Sequence, residues 1–134
     1  MSRPLPEVTP ANEYFWTSGR TGALELLRCI ACGYWIHPPS PACPQCLGKP
    51  APQPVSGRGA VHAFTVNHQQ WLPGIPVPYV VAIVELAEQP GLRLTTNIVG
   101  IAPEDVHTDL PVVVTFEQVE DVYLPLFRPV SDAD

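Results

Sequence analysis

The chain has 134 residues, with 13 Asp and Glu against 7 Lys and Arg, and 18 prolines against one methionine. That length suits one domain with a small appendage, the prolines argue for short strands and loops over long helices, and no apolar run approaches the roughly 18 residues of a membrane span. The charge is uneven: residues 56–134 carry Arg58, Arg93 and Arg128 against ten acids, while residues 1–55 are close to neutral. A phosphate backbone needs several Lys or Arg on one face, which the C-terminal part cannot supply, so nucleic acid is not an expected partner.

Residues 1–22 are expected to form a loose tail and a helix. Thr9 is placed to cap it, with Pro10 at the first helical position and a stop near Ser18 and Gly19. The helix carries Tyr14, Phe15 and Trp16 in a row. Three adjacent aromatics cannot share one stripe of a short helix, so at least one should lie outward or against a second surface. All three are therefore candidates for contact with the following segment or with a partner.

Residues 23–28 alternate as a strand, and residues 34–37 form its return, closed by Pro38 and Pro39. Between and after them stand the only four cysteines, Cys29-Ile-Ala-Cys32 and Cys43-Pro-Gln-Cys46, spaced C-x2-C-x10-C-x2-C. Each C-x2-C folds back as a knuckle, and two knuckles complete a four-thiolate shell around one tetrahedral ion. Zn²⁺ is the expected occupant, with iron as the alternative from the same ligand set. With all four positions taken by protein, such a site is structural. Disulfides would need an oxidising compartment, whereas Met1-Ser-Arg-Pro-Leu-Pro6 has no apolar leader core, so the expected location is cytoplasmic. Gly33, directly after the first pair, suits a positive-φ turn; in the second pair the glycine comes one place later, after Leu47.

Residues 49–54 alternate Pro with other residues and suggest a stiff connector. The expected organisation is thus 1–22 tail and helix, 23–54 ribbon, 55–134 barrel. From residue 57 the pattern is all β. A strand over 59–68 should place Ala60, His62, Phe64 and Val66 on one face. The run 79–86 is almost wholly apolar, as if covered on both sides. A Pro90-Gly91 turn leads to a strand over 93–99 with Leu94, Thr96 and Ile98 inward. Pro103 opens a helical turn, strands follow over 112–119 and 122–127, and Pro125 assigns the last to an edge. Five short antiparallel strands with a helical element between the third and fourth match the order of an OB-fold barrel.

Between the first two barrel strands runs an excursion, residues 69–78, with three prolines and the apolar Trp71, Leu72 and Ile75. It either caps the barrel mouth or reaches a ligand or partner. Asn67 and His68 stand at its root. The sequence carries no nucleophile elbow, Walker loop, HExxH or Rossmann glycine pattern, and no thiol stays free once the metal is bound. It holds no self-contained catalytic set.

The ordered segments Tyr14-Phe-Trp16, Leu26-Leu-Arg-Cys-Ile-Ala-Cys-Gly33, Cys43-Pro-Gln-Cys46, Val55-Ser-Gly-Arg-Gly59, Phe64-Thr-Val-Asn-His68, Pro78-Tyr-Val-Val-Ala-Ile-Val-Glu85, Thr95-Thr-Asn-Ile-Val-Gly100 and Leu124-Pro-Leu-Phe-Arg-Pro129 cover nearly the whole chain. Together they resemble the acyl-CoA-associated OB-fold proteins with a rubredoxin-like zinc ribbon, long classed as a domain of unknown function. The resemblance implies a non-catalytic accessory subunit beside a thiolase-like aldolase of the lipid-transfer type, in steroid or lipid side-chain degradation. It implies as alternatives an acyl-CoA hydratase or thiolase/synthase partner. A coenzyme A thioester would then be a ligand of the complex. With so few cations in this chain, Arg20, Arg58 and Arg93 could add only single phosphate contacts, and the partner would supply most of the positive charge.

Overall fold

A computed structural model describes residues 5–70 and 75–131. Its elements are a five-residue helix α1 (Glu13–Thr17), a 3-10 turn (Ser18–Thr21), then strands β1 (Glu25–Cys29), β2 (Trp35–Ile36) and β3 (Pro50–Pro54). Five longer strands follow: β4 (Arg58–Asn67), β5 (Tyr79–Leu86), β6 (Arg93–Ile98), β7 (Pro111–Val119) and β8 (Val122–Pro129), with a 3-10 turn (Pro103–Asp105) before β7. The first three strands make a small sheet in the order β2-β1-β3, and the last five close a barrel in the order β4-β5-β6-β8-β7. The fold is mainly β, as expected.

The helix starts later than the Thr9 cap implied. The Thr9 carbonyl accepts from the N–H groups of Asn12 and Glu13, forming a turn, and Asn12 occupies the cap position. Its side chain gives no cap bond because it turns back, accepting from Thr9 N–H and donating to the Glu7 carbonyl.

The stretch expected as a connector is strand β3, paired antiparallel with β1 from Cys29↔Pro50 to Glu25↔Pro54. In an antiparallel pair alternate residues turn their N–H groups toward the neighbour. Val55 N–H reaches the Leu24 carbonyl at 2.9 Å, so the odd-numbered residues face β1. Pro50, Pro52 and Pro54 all fall on the outward side, where no N–H is needed. The same prolines block further pairing at this exposed edge.

The barrel corrects three other expectations. The register of β4 on β5 shifts between Val61 and Ala63, a bulge at His62. Val61 is therefore fully buried, while beyond the bulge Phe64 and Val66 pair with the core residues Ala82 and Val80; the single face Ala60-His62-Phe64-Val66 does not exist. β5 is not covered on both sides: Val80, Ala82, Val84 and Leu86 are buried, whereas Ile83 is 37 % exposed. β8 is not an edge strand. It lies between β6 and β7, antiparallel to β7 and parallel to β6 through the one registered pair Ile98↔Phe127. Pro125 is tolerated inside the barrel because β6 does not ladder with it; instead the buried Thr96 hydroxyl donates to the Pro125 carbonyl at 3.0 Å. The inward set Leu94, Thr96 and Ile98 on β6 is as expected.

Ribbon and barrel share one core. Leu24, Leu26, Trp35 and Val55 pack in the same buried cluster as Val61, Val84, Val112 and Phe127. Gln89, in the β5–β6 turn, clamps the ribbon strand β2: its Oε1 accepts from Trp35 N–H at 2.9 Å and its Nε2 donates to the Trp35 carbonyl at 3.0 Å. Gln89→Ala leaves both backbone groups of a buried residue unpaired, and we expect it to lower stability by about 2 kcal/mol, measured by urea denaturation.

Candidate metal centre and contact surfaces

The two knuckles are built alike. Cys29 N–H donates to the Tyr34 carbonyl and Gly33 N–H to the Cys29 carbonyl; likewise Cys43 N–H donates to Gly48 and Leu47 N–H to Cys43. These paired turns bring the four sulfurs within 4.8 Å of one another, with Cys29–Cys46 at 3.5 Å and Cys32–Cys43 at 3.7 Å. Four sulfurs each about 2.3 Å from one ion stand roughly 3.8 Å apart. The donor set and its spacing therefore fit a single tetrahedral metal. Among the described residues this is the one group of three or more His, Cys, Asp or Glu side chains so placed. The Cys32 N–H lies 3.4 Å from the Cys29 sulfur, placed to donate to the thiolate that a metal requires.

Gly33 takes φ +80°, as its position after the knuckle predicts. In the second knuckle the positive φ falls on Leu47, at +65°. Gly48 has a different duty. A Cβ there would stand 2.7 Å from the Cys29 sulfur and 3.1 Å from the Cys46 sulfur, so only glycine lets the chain pass this close to the ligands.

The aromatic run packs in part against the protein's own core. Phe15 is buried, and Tyr14 and Trp16 pack partly buried against the core. Phe15 meets Trp16 edge to face at 4.8 Å and stacks on His37 at 5.2 Å. Trp16 separates two surface clefts, of about 260 and 460 Å³, both bordered by Thr95. Tyr14 Oη and His37 Nδ1 are buried without a partner among the described residues. Burial raises the Tyr14 hydroxyl to about 12 and pushes His37 below its ordinary 6.5. A depressed imidazole contributes stability that is complete above about pH 6.5 and is lost as pH falls toward its folded value. His37→Phe, which keeps a ring on Phe15, should flatten that acid-side decline relative to wild type in thermal melts between pH 7 and 5.

The remaining candidates are dispersed. Asn67 makes a local turn, accepting from Gln69 N–H and donating to its carbonyl, and His68 is exposed beside it. Trp71 and Leu72 lie outside the described residues. Arg20, Arg58 and Arg93 border three different clefts, and Arg93 Nε already pairs with Glu85 at 3.1 Å. The three arginines do not converge on one phosphate site. The Gln89 clamp was not anticipated; the only sequence signal is a glutamine beside a Pro-Gly turn.

The described residues contain no helix long and apolar enough to cross a membrane. Two family models match in tandem: the ChsH2 rubredoxin-like zinc ribbon domain over residues 16–52 and the ChsH2 C-terminal OB-fold domain over residues 52–117. A probable enoyl-CoA hydratase alpha subunit of Thermomonospora curvata is 39% identical over 95% of the chain and 40% of its own length. The 3-oxo-4,17-pregnadiene-20-carboxyl-CoA hydratase alpha subunit of Mycobacterium tuberculosis is 35% identical over 92% of the chain and 39% of its own length. The chain thus spans about two fifths of these two relatives. A DUF35 domain-containing scaffold protein of Methanocaldococcus jannaschii is 35% identical over 71% of the chain and 68% of its length. Among solved structures, a chain of the Ltp2-ChsH2(DUF35) aldolase superposes with a TM-score of 0.84 at 37% identity, covering 93% of this chain and 98% of that one. With its ribbon, its barrel and both family models in register, the chain belongs to the ChsH2 (DUF35) family.

Proposed function

We propose that this chain is a non-catalytic scaffold unit of a thiolase-superfamily acyl-CoA complex, best matched to a retro-aldolase acting on a steroid or lipid thioester. What carries the reading is its likeness to the ChsH2(DUF35) chain of an aldolase over 98% of that chain. The site chemistry agrees. Cys29, Cys32, Cys43 and Cys46 hold Zn²⁺ in a closed shell that leaves no position for substrate, and the arginines do not gather into a coenzyme A pocket of their own. The aldolase supplies the acid, the base and most of the charge that binds the CoA phosphates. This chain steadies the aldolase and borders its acyl-CoA passage. A thiolate ligand set of this kind belongs in the cytoplasm.

The test is to produce the Ltp2-type aldolase of the same host with and without this chain. The reading expects a stoichiometric complex, and lost solubility or activity without the chain. Full activity of the aldolase alone would overturn it. A second reading, pairing with an acyl-CoA hydratase, is favoured by the two hydratase alpha subunits, which contain a homologous segment within longer chains. Co-purification with a hydratase in place of an aldolase would select it. Tight binding of a long-chain acyl-CoA by the isolated chain would instead point to an independent acyl-CoA-binding protein.

A further inference from the structure

The two knuckles provide an internal comparison. They share the same backbone hydrogen bonds, and at the equivalent left-handed position one carries Gly33 and the other Leu47, at φ +80° and +65°. A Cβ makes this conformation costly, and a branched, bulky residue is unusual there. Leu47 also gains nothing from burial, since it is 82% exposed. The fold alone would place glycine at both positions. An exposed leucine held in a disfavoured conformation has its use outside the fold.

The same tip exposes Ile30 to 63%, and its N–H bonds to the Lys49 carbonyl, two residues from Leu47. We propose that Leu47 and Ile30 form an apolar anchor by which the ribbon tip docks into the aldolase partner; this rests on the scaffold reading above. The occupant is a different protein for two reasons. Two such tips meeting symmetrically would bury only a few hundred Å², far short of the roughly 1,200 Å² of a stable interface. A tip seated on the barrel of another copy would be a head-to-tail contact, which builds rings or filaments of this chain and not a two-chain complex. Charge narrows the partner surface further: residues 29–49 include no acid, and Lys49 is their single Lys or Arg. The complementary surface is an apolar pocket with a carboxylate on its rim for Lys49.

The experiment compares wild type with Leu47→Gly, Leu47→Asn and Leu47→Met, each zinc-loaded, in calorimetric titration against the separately purified Ltp2-type aldolase of the same host. Leu47→Gly and Leu47→Asn, both at ease at positive φ, should keep their zinc and melt no earlier than wild type. Both should bind the aldolase about tenfold or more weakly, with Leu47→Met close to wild type. Wild-type binding with equal affinity for all four proteins overturns the anchor and leaves the scaffold reading standing. No binding by wild type overturns the scaffold reading, and the anchor with it. Earlier melting of Leu47→Gly would show that Leu47 serves the fold, and would also overturn the anchor.

Discussion

Cys32→Ser is expected to release the metal and loosen the whole molecule, although Cys32 itself is exposed. That exposure makes it the informative ligand: replacing sulfur with oxygen there costs little packing, so the effect reports the metal alone. Removing a direct ligand should weaken metal binding by at least ~100-fold, since losing a group that only hydrogen-bonds a ligand already costs about 10–100-fold. Through linkage that is about 2.7 kcal/mol of apparent stability at matched free zinc. The loss will not stay in the ribbon. Leu24, Leu26 and Trp35 hang from the same strands that carry the knuckles, and they pack in the barrel core. Metal content by mass spectrometry should fall, and the barrel should melt roughly 10 °C lower for a chain of this size. A variant that kept both its zinc and its melting temperature would show that the four cysteines do not hold the fold. Chelation of the wild type should reproduce the same shift, since the binding free energy of a structural metal is folding free energy.

The ribbon and the barrel were legible because each is written in a local code. Cysteine spacing fixes the knuckles, and alternation on β6 fixes its inward face at Leu94, Thr96 and Ile98. What escaped depends on partners distant in sequence. Residues 50–54 look like a connector until β1 is known to lie beside them; only then do three alternate prolines become an edge strand. The bulge at His62 leaves no mark, because a single extra residue changes which side chains face inward without changing their identity. Pro125 was assigned to an edge by a rule about missing N–H groups. The exception arises because β6 registers with β8 only at Ile98↔Phe127, so no N–H is needed at Pro125, and Thr96 on β6 satisfies the proline carbonyl. The candidate site divides in the same way. The four-cysteine cluster could be named from spacing, whereas which apolar side chains stay exposed could not, because exposure is a property of the packed molecule. Tyr14, Phe15 and Trp16 carried two readings, packing or partner contact, and the fold buries Phe15 while leaving Tyr14 and Trp16 half-buried, so a row of aromatics does not by itself choose between them.

Phe127→Ala should be the most damaging single change in the barrel. The side chain is fully buried and, among the described residues, is the largest so enclosed. It also sits where the barrel closes: Phe127 is the registered partner of Ile98 across the one parallel junction, and its carbonyl accepts from Val99 N–H at 2.8 Å. Truncating a buried Phe costs about 3–5 kcal/mol through lost transfer energy and the cavity left behind. At this position the cavity also weakens the seam between β6 and β8, where a single registered pair leaves little ladder to hold the strands together. Urea denaturation should show the midpoint falling with little change in slope if the barrel still closes. A reduced slope would mean that the seam has opened in the native state. The zinc site offers a second readout, because Leu26 and Trp35 reach the core that surrounds Phe127. Chelator competition should therefore find the metal held less tightly in Phe127→Ala. Full retention of zinc affinity alongside a 3–5 kcal/mol loss would mean that ribbon and barrel unfold separately, and that the shared core does not couple them.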